Sequence, residues 1–203
     1  MIQPLPERIS LADFLAWEQS QERKHELLDG EILAFSGGSF DHNDIALNVC
    51  ALLRERITPP CRAHNSDTII ETRASKGESG LRADASVSCS SEDAGRAKYM
   101  RHPRIVVEVR SPSNVGAKWE NKLFEYRDTT SIEQIVIVES ETRSVRSYVR
   151  DDEWQWREEP TLVDDGVLAF RVDAAEITLD EIYWRTSLAK DATEETFIAD
   201  SPG

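Results

Sequence analysis

The sequence predicts a mixed α/β or α+β domain built around one central sheet. Three observations carry that expectation: separate segments with apolar residues at helical spacing, short apolar runs of strand character between them, and an ordinary globular composition of 203 residues, 39% hydrophobic and 31% charged. A chain of this length buries most of the surface that its unfolded form exposes, so it needs no metal or disulfide staple to fold. No uncharged apolar run approaches the roughly 20 residues that cross a bilayer. The start, MIQPLPERIS, has no apolar signal segment. The expectation is a cytoplasmic protein with no membrane partner. Cys50, Cys61 and Cys89 are odd in number, widely spaced and without a Cys-x-x-Cys pair, which fits a reducing compartment.

The elements follow in order. Ser10, with Asp13 three residues on and Leu11, Phe14, Leu15 and Trp17 at helical spacing, predicts an N-capped helix to about Gln21. In HELLDGEILAF, Asp29-Gly30 between two apolar runs predicts a hairpin. Ile45, Val49, Leu52 and Leu53 predict a helix from Asp41 to about Ile57, ended by Pro59-Pro60. A strand is expected from Thr68 to Thr72, then a loop rich in Ser and Gly. In RADASVSC, Ala83, Ala85, Val87 and Cys89 alternate with Asp84, Ser86 and Ser88. In RIVVEVR, Ile105, Val107 and Val109 share one face, with Val106, Glu108 and Arg110 on the other. Apolar strands with single charges read as sheet interior covered on both sides. Pro112 closes the second strand, and a helix is expected from Val115 to Asp128 with Trp119, Leu123 and Tyr126 on one stripe. Further strands are expected at Ile132 to Glu139, Arg143 to Arg150, Glu153 to Arg157 and Gly166 to Arg171, before a short helix from Leu179 to Trp184. Residues 1–185 read as a single domain and residues 186–203 as a mobile acidic tail.

The net charge of −14 speaks against a polyanion partner, which normally meets a basic footprint. Its distribution weakens that inference. Residues 101–150 hold 9 Lys+Arg against 7 Asp+Glu, whereas residues 151–203 hold 4 against 15. The central stretch therefore reads either as a local basic surface or as a solvated face.

Candidate chemistry lies where an acid replaces an expected apolar residue. Glu108 interrupts IVVEV, where a buried carboxylate costs several kcal/mol, on the order of the effective burial penalty, unless a cation or metal meets it. It reads as one half of a structural salt bridge or as a metal ligand. Asp84, 24 residues earlier on a similar strand, is a turn residue or a second carboxylate converging on the same cavity; such hard oxygen ligands suit magnesium. Lys122 lies inside the apolar stripe of its helix, either snorkelling to the edge or held beside the acids to stabilise developing charge. Glu26, in HELLDGE, is an exposed hairpin residue or a fourth member of the site.

Taken together, Glu26-Leu27-Leu28-Asp29-Gly30-Glu31, His42 opening a helix, Arg82-Ala83-Asp84, Val106-Val107-Glu108-Val109-Arg110-Ser111-Pro112-Ser113, then Lys122 and Tyr126, resemble the Uma-two family of the PD-(D/E)XK, or restriction endonuclease-like, nuclease superfamily. The resemblance runs in order from Ser10 to Trp184. It implies a central mixed β-sheet flanked by helices and divalent-metal-dependent endonuclease cleavage of DNA phosphodiesters, with Mg²⁺ as cofactor and Mn²⁺ as a substitute. Carried over by position, Asp84 and Glu108 are the metal-binding acids, the Val109 carbonyl is a further ligand, and Glu26 completes the acidic cluster. Arg110 stands where the superfamily usually has its lysine, and Lys122 matches a lysine moved to the following helix. Ala83 replaces a proline without changing the side-chain chemistry of Asp84, whereas Lys118 in place of an aspartate, together with Arg110, should make the site more cationic than is usual. A homodimer is attractive, because cutting both strands needs two active sites or two visits.

Two rivals are weighed against this reading. One is a non-catalytic regulatory or interaction domain on a degenerate nuclease scaffold. The other is a zinc hydrolase using His25, His42, His64 and His102, but no His-x-x-x-His pair exists and His25-Glu26 lacks the partner histidine.

Overall fold

The computed structural model describes residues 9–35, 37–74, 77–95, 99–111 and 116–190. Ser10 caps α1 (Leu11–Glu18) by accepting from the Asp13 amide, as the sequence predicts. The hairpin β1 (His25–Leu28) and β2 (Glu31–Ala34) follows, with Leu28 opposite Glu31, so Asp29-Gly30 is a two-residue loop. Its left-handed φ values of 49° and 76° are what the primed hairpin turns require. Next come α2 (Phe40–Arg56), β3 (Arg62–Asn65), β4 (Ile69–Ala74), β5 (Gly77–Leu81) and β6 (Ala85–Ser88). The chain continues through β7 (Tyr99–Met100), β8 (Pro103–Arg110), α3 (Ala117–Asp128), β9 (Gln134–Glu139) and β10 (Val145–Val149). It ends with β11 (Thr161–Val163), β12 (Val167–Ala169), β13 (Glu176–Thr178) and α4 (Leu179–Ile182).

The mixed sheet expected at the centre has six strands in the order β11-β10-β9-β8-β6-β3. Its parallel pair, β8 and β9, is joined through α3, the kind of crossover that parallel neighbours need. Ile105, Val107 and Val109 pack with Ile45, Val49 and Leu53 of α2. On the other face Val106, Ile135 and Ile137 pack with Tyr126 of α3. The sheet interior is thus covered on both sides, as the strand composition predicts. A second sheet, β2-β1-β5-β4-β7, lies beside it under α1, and β12 pairs with β13.

Several sequence expectations change. The Ser/Gly-rich segment is not only a loop: it contains β5, paired with β4 and β1. Gly80 explains the misreading, because a Cβ there would come within 2.9 Å of the Phe14 ring; the position is glycine so that α1 can lie on the strand. Residues 153–157 form a turn with a single bridge between Arg150 and Trp156, not a strand. Ala83 precedes β6 and packs with the α3-side cluster, because the chain turns at residues 82–84 before alternation begins. The cysteines are not all free: the β3–β6 register, Arg62 opposite Ser88, carries on to bring Cys61 and Cys89 together in a disulfide, and Cys50 is buried and free. Pro112 and the expected helix start at Val115 fall outside the described residues, as do residues 191–203. Before them, Thr186 is buried and Ser187 donates its amide to Asp41 at 3.0 Å. No helix among the described residues is long and apolar enough to cross a membrane.

Candidate active site

The sequence-predicted residues meet where the two large sheets adjoin. Glu26 comes from β1, Asp84 from the turn entering β6, Glu108 and Val109 from β8, and Lys122 from α3. The turn at residues 82–84 is fixed by Arg82, whose buried guanidinium donates to Glu18 at 2.8 Å and to the carbonyls of His25, Ser66 and Asp67 at 3.0, 3.0 and 2.8 Å. Its amide donates to Glu26 Oε1 at 2.7 Å. One charged side chain thereby sets the positions of two candidate acids.

Lys122 is the hub. Its Nζ lies 2.9 Å from Glu26 Oε1, 2.9 Å from Glu108 Oε1 and 2.9 Å from the Arg82 carbonyl oxygen. Its side chain is only 12% exposed, so it does not snorkel to solvent. Burial pulls the ammonium's pKa down, but the Glu108 and Glu26 carboxylates outweigh it, so the group is held above its ordinary pKa and stays charged. Glu108 is 4% exposed. Burial pushes its pKa up to about 7, and the Asp84 and Glu26 charges act in the same direction, against Lys122 and the Tyr126 hydroxyl. Tyr126 donates to Glu108 Oε1 at 2.6 Å, and its own pKa is driven well up by burial and by these carboxylates.

Asp84 is held from two directions. The Val109 amide donates to Oδ2 at 2.7 Å, and His42 Nε2 lies 3.2 Å from Oδ1. The hydrogen bond to Asp84 raises the His42 pKa against the opposing effect of burial. His42 Nδ1 is buried without a partner among the described residues.

The cationic surroundings expected from the sequence do not form. Arg110 is bonded to Glu139 at 2.9 Å, where the parallel register sets the two residues side by side, and Lys118 is exposed on the first turn of α3. Nor is the stretch from Arg101 to Arg150 a free basic surface. Arg101 pairs with Glu71 and Arg104 with Glu133; Arg143 pairs with Asp180 and Arg146 with Glu139. Arg150 is spent on the carbonyls of Ile132, Trp154 and Arg127.

The sequence suggests site roles for Glu26, Asp84, Glu108 and Lys122, whereas His42 enters only as a zinc-ligand candidate and as part of the family resemblance, and Tyr126 only as part of that resemblance. Tyr126 carried a usable signal: a buried tyrosine needs a partner for its hydroxyl, and it lies four residues after Lys122 on one helix stripe. The His42 contact spans 42 residues and has no local signature.

Among the described residues, no three His, Cys, Asp or Glu side chains form a ready metal cage. The donor chemistry nevertheless fits a hard divalent cation. Three carboxylates act on one another with one lysine among them, and magnesium keeps several waters, so two acids suffice as protein ligands.

The sequence pattern of the Uma2 family, described as "Putative restriction endonuclease", matches residues 11–180. The chain belongs to the Uma2 family. Every candidate site residue lies within the matched span. A Synechocystis protein, slr1290, is 29% identical over 154 residues, 75% of this chain and 80% of that protein. Among solved structures, a "putative nuclease belonging to DUF820" from Anabaena variabilis superposes with a TM-score of 0.66 at 17% identity, covering 86% of this chain and 97% of its own. That likeness is one of fold, and this Uma2 chain shares the nuclease-like architecture.

Proposed function

We propose that this Uma2 chain is a divalent-metal-dependent endonuclease that hydrolyses phosphodiester bonds in DNA. The observation that carries the reading is Lys122: a buried ammonium held between Glu26 and Glu108, on an otherwise apolar helix stripe. Asp84 and Glu108 would hold Mg²⁺ or Mn²⁺, with the Val109 carbonyl as a further ligand and Glu26 completing the acidic cluster. A cation there supplies Lewis acidity toward a phosphoryl oxygen and a more acidic water. The chain's own groups do the rest. The Val109 amide and His42 fix both oxygens of Asp84, and the Tyr126 hydroxyl fixes one oxygen of Glu108. Lys122, kept protonated by its carboxylates, would orient a water and stabilise the negative charge that develops on phosphorus-bound oxygens.

One observation favours the rival reading of a non-catalytic scaffold: Lys122 already pairs with both Glu26 and Glu108 without a metal. Supercoiled plasmid incubated with Mg²⁺ or Mn²⁺ decides between them. Nicked and linear products from the unsubstituted protein, absent with Asp84→Ala and Lys122→Ala, support catalysis. Identical products from all three proteins, or none from any, overturn it.

A further inference from the structure

A cavity of about 450 Å³ lies between α2 and the edge strand β3, with Asp84 in its wall. This is the size range of sites that enclose one small molecule, and it suits a single nucleotide rather than a duplex. Its α2 wall includes Asn43, Leu47, Ala51 and Arg54, and its β3 wall includes His64 and Asn65. Helical spacing puts Phe40 on the same stripe as Leu47 and Ala51, one turn or more toward the N-terminus. Leu47, in the cavity wall, is 67% exposed, and Phe40, about two turns toward the N-terminus, is 89% exposed, so the α2 stripe beside the cavity carries large apolar side chains. These side chains have little apolar cover among the described residues, so a ligand with an aromatic or apolar face suits them.

Two guanidinium groups, Arg54 and Arg62, lie close to His64 at this cavity. Arg101, Arg104, Arg110, Arg143 and Arg146 are ion-paired, whereas Arg54 and the neighbouring Arg62 make no ion pair among the described residues. Burial and these two guanidinium groups lower the His64 pKa, so its ring is neutral and can donate through one nitrogen and accept through the other. His64 Nε2 is buried with no partner among the described residues.

We propose that the cavity between α2 and β3 is a subsite for an unpaired nucleotide of a DNA strand, adjoining the acid Asp84. Phe40 and Leu47 take the face of the base, His64, Asn43 and Asn65 meet its polar edge, and Arg54 and Arg62 meet the flanking phosphates. The subsite rests on the nuclease reading and adds a preference for single-stranded or splayed DNA over intact duplex.

The test is binding of a dye-labelled single strand, and of the duplex of the same sequence, to the full chain in Ca²⁺, followed by anisotropy. A second single strand carries 2-aminopurine, whose emission rises when a base leaves its neighbours. Single strand should bind at least about tenfold more tightly than duplex, and Phe40→Ala should weaken it roughly tenfold, as loss of one base–aromatic stack does. Ala51→Phe, at an exposed helix position, should fill the cavity, abolish the 2-aminopurine signal and leave the circular dichroism spectrum unchanged. Equal affinity for the two DNA forms, or Ala51→Phe binding single strand as the unsubstituted protein does, overturns the subsite. The two readings fail separately. Loss of single-strand binding in Ala51→Phe with cleavage unaffected by Lys122→Ala keeps the subsite and removes the catalytic assignment. The converse pattern keeps the nuclease and removes the subsite.

Discussion

Lys122 and Glu26 meet at 2.9 Å although they come from α3 and from the five-stranded sheet, 96 residues apart in sequence. Because Lys122 also reaches Glu108 in the six-stranded sheet, a single ammonium joins the two sheets at the candidate site. Removing either sheet's carboxylate leaves a buried cation short of its partner, and removing the lysine leaves two buried anions.

Lys122→Ala should therefore cost about 3 kcal/mol of stability in EDTA at pH 8, as for other broken buried pairs. The cost should shrink at pH 5.5, where the deprived Glu108 takes up a proton. Urea unfolding at the two pH values measures both effects.

The Glu108 pKa of about 7 stands above its ordinary 4.5. Between these values the folded chain binds more protons than the unfolded one, so the contribution of the neutral form is fully present below about 4.5 and is lost as pH rises through 7. Without metal, the melting temperature should fall from pH 5.5 to 8. Glu108→Gln, which has no proton to lose at this position, should flatten that fall. A steeper fall in the variant would contradict this assignment.

Tyr126→Phe removes the 2.6 Å bond that favours the Glu108 carboxylate, at a cost of about 2 kcal/mol for a hydrogen bond to a charged group. Glu108 should then hold its proton to higher pH. Mn²⁺ affinity should drop at pH 7 and recover toward that of the unsubstituted protein at pH 8.5. Calorimetric titration at both pH values shows whether it does.

Arg56 pairs with Glu181 and holds its carboxyl down to about 2, tying α2, which carries His42, to α4. A depressed carboxylate stabilises above its unfolded pKa of 4.5, and that contribution is lost as pH falls toward 2. Glu181→Gln should show a shallower acid limb in a pH-unfolding series followed by circular dichroism.

Much of this architecture is written locally in the sequence. Ser10 with Asp13 caps α1, Asp29-Gly30 turns the first hairpin, and alternation in β8 puts Val107 and Glu108 on opposite faces. Glu108 stood out because a charge interrupts an apolar strand, and Lys122 because a charge interrupts an apolar stripe. What stayed hidden depends on distant partners. β5 looks like a loop until Phe14 packs over Gly80. The arginines after residue 100 look like a basic surface until Glu71, Glu133, Glu139 and Asp180 arrive beside them. His42 acquires its role only when α2 brings it to Asp84.

The most direct test of the central claim, that Asp84 and Glu108 form one metal site beside Lys122, is calorimetric titration of the full chain with Mn²⁺. The account predicts one ion per chain, with binding lost in Asp84→Ala and in Glu108→Ala. Absence of binding heat in the unsubstituted protein, or undiminished binding in Asp84→Ala, would contradict it.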